Sequence, residues 1–239
     1  MSEAADMAAQ GQGRATALAS VSVVVPVLNA AALLPPLLDQ LSSAGVGEVL
    51  LADGGSVDDP AALRGARVVA APRGRGSQCR AGAEAARGPW LLFLHADTEL
   101  GAGWAEAAVA AMRDPSRAHV FAFALDDDSP EARRLERAVA WRNRALALPY
   151  GDQGLLIHRD LYAAVGGHAP IPIMEDVDLV RRLGRARLGW MPVAARTSAR
   201  RWRREGWRWR SARNVAILTL WFLGVPPRVL VGLYGRPGR

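Results

Sequence analysis

From Val21 onward the chain alternates short apolar, β-branched runs with Ala/Leu-rich stretches of helical length. Val21 to Val27 is apolar apart from Ser22, as expected of a strand covered on both faces, and it stops at Pro26-Val27-Leu28-Asn29. The pattern predicts a helix over Ala30 to Leu41, a second strand over Gly47 to Ala52 and a turn at Asp53-Gly54-Gly55-Ser56. A third strand over Arg67 to Ala71, a helix over Ser77 to Ala86 and a fourth strand over Pro89 to Leu94 follow. Strand and helix in alternation predict a largely parallel sheet with helices on its faces. In such a sheet ligands gather beyond the carboxyl ends of the strands, and Asn29, Asp53 and Asp97 all fall at such ends.

After Gly101 the texture changes. A helix (Ala105 to Met112), a strand (His119 to Leu125) and a charged helix (Pro130 to Ala147) lead into Gly151-Asp152-Gln153-Gly154. A short strand to His158, a helix from Asp176 to Leu183 and an Arg/Trp-rich segment complete the pattern. With 239 residues, no internal repeat and no linker, the chain reads as one domain with two functional halves. Residues 1–19 are rich in small residues, lack the apolar core of a signal peptide, and are expected to form a disordered tail.

Charge sharpens this picture locally. All 30 basic residues are arginine and the formal net charge is +7, yet twelve arginines against one acid, Glu205, lie between Arg181 and Arg213, so the remainder is net acidic. A basic region this concentrated points to a surface that meets phosphate or anionic lipid. Arg interleaved with Trp also suits nucleic acid, but the ordered carboxylates elsewhere argue against a nucleic-acid partner. The single Cys79 excludes an intramolecular disulfide and fits a reducing, cytoplasmic setting.

Candidate chemistry rests on the acids. The run Trp90-Leu91-Leu92-Phe93-Leu94-His95-Ala96-Asp97 delivers a carboxylate at the end of an apolar strand, where core packing has no use for one. Asp97 is therefore read as the ligand of a divalent cation, Mn²⁺ or Mg²⁺, that neutralises a diphosphate. His95, two residues earlier, is expected on the same side of the strand, touching metal, ribose or diphosphate, or else satisfying a local backbone bond. Asp53 before Gly-Gly-Ser either meets a base or ribose or makes its own Asx turn. Arg73-Gly74-Arg75-Gly76-Ser77-Gln78 opens a helix, a place for phosphate or simply a flexible loop. Glu175-Asp176 precedes an amphipathic helix; the pair can be a helix cap, or one acid can take a proton from a hydroxyl while the other fixes geometry.

The ordered set Val-Val-Val-Pro-Val-Leu-Asn (23–29), Ala-Asp-Gly-Gly-Ser (52–56), His-Ala-Asp (95–97), Gly-Asp-Gln-Gly (151–154) and Glu-Asp-Val-Asp-Leu (175–179) resembles a family 2 glycosyltransferase of the GT-A fold. Ser198-Ala199-Arg200-Arg201-Trp202, Asn214 and Leu223-Gly224-Val225-Pro226-Pro227 resemble a small bacterial subgroup described as arsenosugar-type. The resemblance implies an α/β GT-A domain over residues 20–205, with a Rossmann-like nucleotide-binding half (20–100) on a mostly parallel sheet, an acceptor half (101–205) and a C-terminal helical segment (206–239). It implies inverting transfer from a nucleoside-diphosphate sugar to an acceptor hydroxyl, on a lipid or a small metabolite, with a divalent cation on the diphosphate. By the same resemblance Asp176 is the general base with Glu175 beside it, Asp53 meets the nucleobase and Asp97 the metal. Pro26, Val27, Asn29, Arg75, Gln78, His95 and Ala96 line the donor, Asp152 and Gln153 the acceptor, and Arg200, Arg201 and Trp202 close over the diphosphate. Two positions depart from the family pattern: His95 replaces the first Asp of the Asp-x-Asp motif, and no His follows His168 to serve as a late metal ligand.

Val215 to Val225 is apolar almost all round but shorter than the ~20 residues of a membrane span, and Pro226-Pro227 breaks it. A buried core helix and an interfacial helix on anionic lipid both fit; the Trp and Arg flanks tip the reading towards peripheral membrane contact on the inner face of the cell membrane. Two other functions fit the same residues less well. A nucleotidyltransferase shares the nucleotide-binding half and the metal, and a degenerate sugar-nucleotide or lipid-surface binding protein would explain His95.

Overall fold

The computed structural model describes residues 11–234. Eight strands form one sheet: β1 Val21–Val27, β2 Glu48–Asp53, β3 Arg67–Ala70, β4 Trp90–Phe93, β5 Glu99–Leu100, β6 Ala118–Leu125, β7 Leu155–His158 and β8 Leu188–Thr197. Their order is β3-β2-β1-β4-β7-β6-β8-β5. The first four pair in parallel. The sheet then reverses at β4/β7 and β7/β6, returns to parallel at β6/β8 and ends with the antiparallel β5. This is the GT-A arrangement, α/β with a mostly parallel central sheet.

Helices cover both faces because the strands alternate between two cores. Val21, Val23, Val25 and Val27 of β1, with Trp90 and Leu92 of β4, face a core shared with α2 (Pro35–Ala44) and α4 (Trp104–Ala111). Val24, Leu91 and Phe93 face the opposite core, against α3 (Arg75–Ala85), α6 (Arg159–Ala164) and α7 (Glu175–Leu183). A third, smaller cluster joins Leu125 and Ala132 to Ala199, Trp202 and Trp207, where α5 (Pro130–Leu146), α8 (Arg200–Glu205) and α9 (Trp207–Phe222) meet. A last helix, α10 (Pro227–Tyr234), folds back on α9.

Three departures from the pattern reading have physical causes. Residues 11–18 form a helix, α1, with Leu18 fully buried, where a disordered tail was expected; the rest of that tail, 1–10, lies outside the described residues. The expected Ala30–Leu41 helix is split into a 3₁₀ turn at Ala31–Leu33 and α2, because Pro35 and Pro36 suit the first turn of a helix and not its interior. The ten-residue β8, with no strand expected there, carries Gly189, Pro192 and two alanines and only two β-branched residues, Val193 and Thr197. Pro192 lies where the β6/β8 register shifts between Val120 and Ala122, a bulge that absorbs its missing N–H.

α3 sits unusually close to the sheet. A Cβ on Gly82 would lie 2.3 Å from Val24 Cγ1. Gly82→Ala would ordinarily gain about 1 kcal/mol of helix propensity, but overpacking costs about 1–3 kcal/mol, and the clash should win. We expect the urea midpoint of Gly82→Ala to fall; a rise would show that α3 can move off β1.

Candidate functional site

β1 and β2 end side by side, Val27 opposite Asp53, and the loops beyond them are laced together. Ser56 N–H donates to Asp53 Oδ1 at 3.0 Å and the Ser56 hydroxyl donates to the same oxygen. Asn29, held at φ 52°, receives Val57 N–H on Oδ1 (2.9 Å) and donates its own N–H to Ser56 Oγ (2.9 Å). Asp53 thus makes the Asx turn, and its half-exposed carboxylate stands at the loop surface. Gln78 is buried and spends its amide on the strand ends, donating to the Val27 and Ala52 carbonyls at 2.6 and 2.9 Å. It is a clamp between β1 and β2, not a donor contact. Val27 and Ala96 are likewise buried in the first core.

A cleft of about 470 Å³, its open mouth included, lies past the ends of β1, β4 and β7. Pro26, Arg75, His95, Tyr150, Gly151, Glu175 and Asp176 line it, over a floor that includes Phe93, Leu94 and Leu179. α7 begins here after Met174, held at φ 67°, and its amino end favours negative charge. Asp176 Oδ2 accepts the Gly151 N–H at 2.7 Å and Oδ1 the Val177 N–H at 2.7 Å. A Cβ on Gly151 would lie 3.3 Å from both Asp176 Oδ2 and His95 Nε2, so the backbone at 151 separates the two groups and has room for little more than hydrogen.

The neighbouring acids are held differently. Glu175 is 2% exposed, with Arg75 Nε 3.4 Å from Oε1. Burial pushes its pKa up to about 7, against the pull of Arg75 and with the help of Asp176. Asp152 is also pushed up, to about 6, by burial opposed by Arg142, and its Oδ1 has no hydrogen-bond partner. Burial, together with Arg75 and Arg201, holds the His95 imidazole well below its ordinary range, so the ring is neutral. The expected Gln153 is not at the surface of the site. Fully buried, it donates to the Phe121 carbonyl (2.9 Å) and accepts from Asn143 (3.1 Å) and Tyr150 N–H (3.3 Å).

His95 and Asp97 do not share a facing. β4 ends at Phe93, and a turn follows in which His95 N–H meets Thr98 Oγ1 at 3.2 Å and Thr98 N–H returns to the His95 carbonyl at 3.2 Å. Period-two alternation therefore stops before His95. His95 lines the cleft, whereas Asp97 is exposed in an adjoining groove with Leu33, Pro36, Gln40 and Glu99. No described residue pairs with the Asp97 carboxylate, and among the described residues no cluster of three or more His, Cys, Asp or Glu surrounds a common point. An exposed, unpaired carboxylate at a strand end fits a hard cation whose other ligands are diphosphate oxygens and water, the usual manner of Mg²⁺-type sites.

Of the four exposed arginines of α8, Arg201 is the one whose charge reaches His95, and nothing places Arg200 at the cleft. Trp202 is turned away from the cleft, stacked on Trp207 with ring centroids 5.9 Å apart in the third cluster; it anchors α8 and does not cover a diphosphate. Two residues without a sequence signal belong to the site: Tyr150, and Arg142, whose guanidinium lies 3.5 Å from the Tyr150 ring centroid. Their pairing across α5 and a loop has no local pattern to betray it.

Residues 22–156 match the family described as Glycosyl transferase family 2. The chain is 35% identical over 91 residues to a PGL/p-HBAD biosynthesis glycosyltransferase of Mycobacterium tuberculosis, covering 33% of this chain and 36% of the relative; it spans about a third of the length of the curated relatives it matches. Its fold is similar to glucosyl-3-phosphoglycerate synthase from Mycobacterium tuberculosis, solved with Mn²⁺, UDP and glucosyl-3-phosphoglycerate (TM-score 0.52, 21% identity, 74% of this chain and 70% of that one). It is also similar to the mannosyltransferase PcManGT from Pyrobaculum calidifontis, solved with GDP-Man and Mn²⁺ (TM-score 0.57, 21% identity, 74% and 56%). With the family match running over more than half of the chain, from β1 into β7, the chain belongs to glycosyl transferase family 2.

Proposed function

We propose that the protein transfers a sugar from a nucleoside-diphosphate sugar to an acceptor hydroxyl by a single inverting displacement, with Asp176 as general base. The observation that carries this reading is the placement of Asp176: its carboxylate faces the cleft at the start of α7, oriented by the Gly151 and Val177 amides. A carboxylate fixed by two backbone donors keeps one rotamer and presents its remaining lone pairs to an incoming hydroxyl. Glu175 is the positioning partner. Buried against Arg75, it holds that guanidinium beside the cleft, where Arg75 and Arg201 provide positive charge for a diphosphate. Asp53 and Asn29 present the turn at which base and ribose would rest. Family membership, and relatives of the same fold solved with UDP or GDP-Man, support this donor class.

Asp97 would hold a divalent cation, Mn²⁺ or Mg²⁺. Bound there, the cation would stabilise the leaving diphosphate as a Lewis acid. Asp152, in the turn held by Gln153 beside Asp176, would serve the acceptor. The acceptor is a hydroxyl compound, and the basic C-terminal region supports attachment to an anionic membrane surface. No helix among the described residues is long and apolar enough to cross a membrane.

Three outcomes test this reading. Asp176→Asn should lower transfer by about two to four orders of magnitude while donor affinity stays within about twofold, because the base acts on the acceptor in the transition state; equal loss of donor binding would remove Asp176 from that role. Asp97→Asn should abolish the tightening of nucleoside-diphosphate binding by Mn²⁺ in calorimetry and leave the thermal midpoint unchanged, and a metal effect that survives would assign the cation elsewhere. The third outcome concerns pH. Glu175 has a raised folded-state pKa, so its contribution to stability is complete below about 4.5 and lost as pH rises to about 7. Glu175→Gln should therefore gain stability relative to the unsubstituted protein as pH rises through that window in urea titrations. A constant difference would mean that Glu175 is ionised throughout.

A further inference from the structure

We infer that the α9–α10 hairpin is a bilayer-docking element that brings the cleft to a lipid-borne acceptor. The inference deepens the proposed function by naming the acceptor class, and it rests on that reading for the chemistry. α9 has two different faces. Arg210, Ile217 and Trp221 turn inward: Arg210 and Ile217 are buried, and Trp221 packs against the core beside α7. Arg208, Ala212, Val215, Thr219 and Phe222, at helical spacing, form an exposed outer stripe. Leu223 in the turn is 75% exposed, and Val229 and Leu233 on α10 are each 53% exposed. Nothing among the described residues covers this surface.

Its charge selects the occupant. The exposed Arg208 and Arg228, which have no acidic partner among the described residues, flank the apolar side chains. The one acid nearby, Glu205, is already engaged by Arg210 at 3.0 Å and by Arg213. An apolar stripe rimmed by uncompensated arginine is the signature of a helix lying in the interface of an anionic bilayer. A second copy fits less well, since a symmetric pairing of this face sets the same arginines against one another.

The hairpin is also coupled to the cleft. The Arg181 guanidinium, on the helix that begins with Glu175 and Asp176, lies 5.2 and 5.0 Å from the ring centroids of Trp221 and Phe222. Tyr234, at the end of α10, lies close enough to Arg75 to interact with its charge. A bilayer under the hairpin therefore lies beside the carboxylates, and an acceptor hydroxyl on an amphiphile would enter from the lipid plane.

The test is flotation of the full chain with phosphatidylglycerol/phosphatidylcholine vesicles and with phosphatidylcholine alone, at low and high salt. We expect binding to the anionic vesicles only, weakened by salt. Replacing Phe222, Leu223, Val229 and Leu233 with Ser, and separately Arg208 and Arg228 with Gln, should each reduce that binding about tenfold or more, with unchanged circular-dichroism melts and unchanged hydrolysis of donor in water. Should one set fail to fold, the other decides. Absence of vesicle binding, binding undiminished in both variants, or a concentration-dependent dimer in sedimentation velocity that the serine set abolishes would each overturn the inference. Vesicle binding requires no nucleotide sugar. If the unsubstituted protein hydrolyses donor but binds no vesicles, the docking element alone is defeated, and vesicle binding without any donor turnover defeats the catalytic reading alone.

Discussion

One buried side chain holds the 150–153 end of the cleft in place. Gln153 is fully buried and reaches three elements at once: the Phe121 carbonyl of β6, Asn143 of α5, and the backbone of the Tyr150 turn. An amide in that position has to be satisfied, because an unpaired buried polar group costs about 1–3 kcal/mol. The only way to satisfy it here is to draw β6, α5 and the 150–153 turn together. That turn points the Gly151 N–H at Asp176. The residue that presents the site is thus one that does not touch it, and Gly-Asp-Gln-Gly combines a scaffold amide with a cleft-facing backbone.

The same economy governs charge. Glu175, Asp176 and Asp152 crowd one end of the cleft, and Arg75 and Arg142 hold the balance against them. Burial raises the first and last of these acids, so part of the negative charge is neutralised by protons and not by partners. Burial, with Arg75 and Arg201 nearby, keeps His95 neutral. Acid and guanidinium therefore lie within one cleft, in contact with each other at Glu175 and Arg75.

Much of this was legible in the residues. The β-branched alternation gave β1 to β4, because a strand covered on both faces must be apolar along its length, and the acids at strand ends and at the start of α7 stood out against that background. Other features left no such trace. β8 has the composition of a loop and is a strand only because β6 and β5 pair with it. Gln78 and Gln153 read as polar site residues, yet tertiary contacts turn both into internal clamps; sequence reports polarity, and the partner that consumes it is non-local. Trp202 follows the same rule, its place set by stacking on Trp207.

The divergence of His95 and Asp97 shows how a motif can keep its spacing and divide its work. In a continuing strand, residues two apart would point together, and both would crowd the same ion. Here the strand ends at Phe93, Thr98 closes the turn, and the two side chains enter different recesses. A neutral ring in the cleft adds no negative charge near Asp176, whereas a carboxylate at position 95 would stand across Gly151 from it and, by like-charge repulsion, oppose its ionisation. Histidine at the first position therefore adds no further negative charge beside Asp176 and leaves the exposed Asp97 as the one carboxylate of the motif.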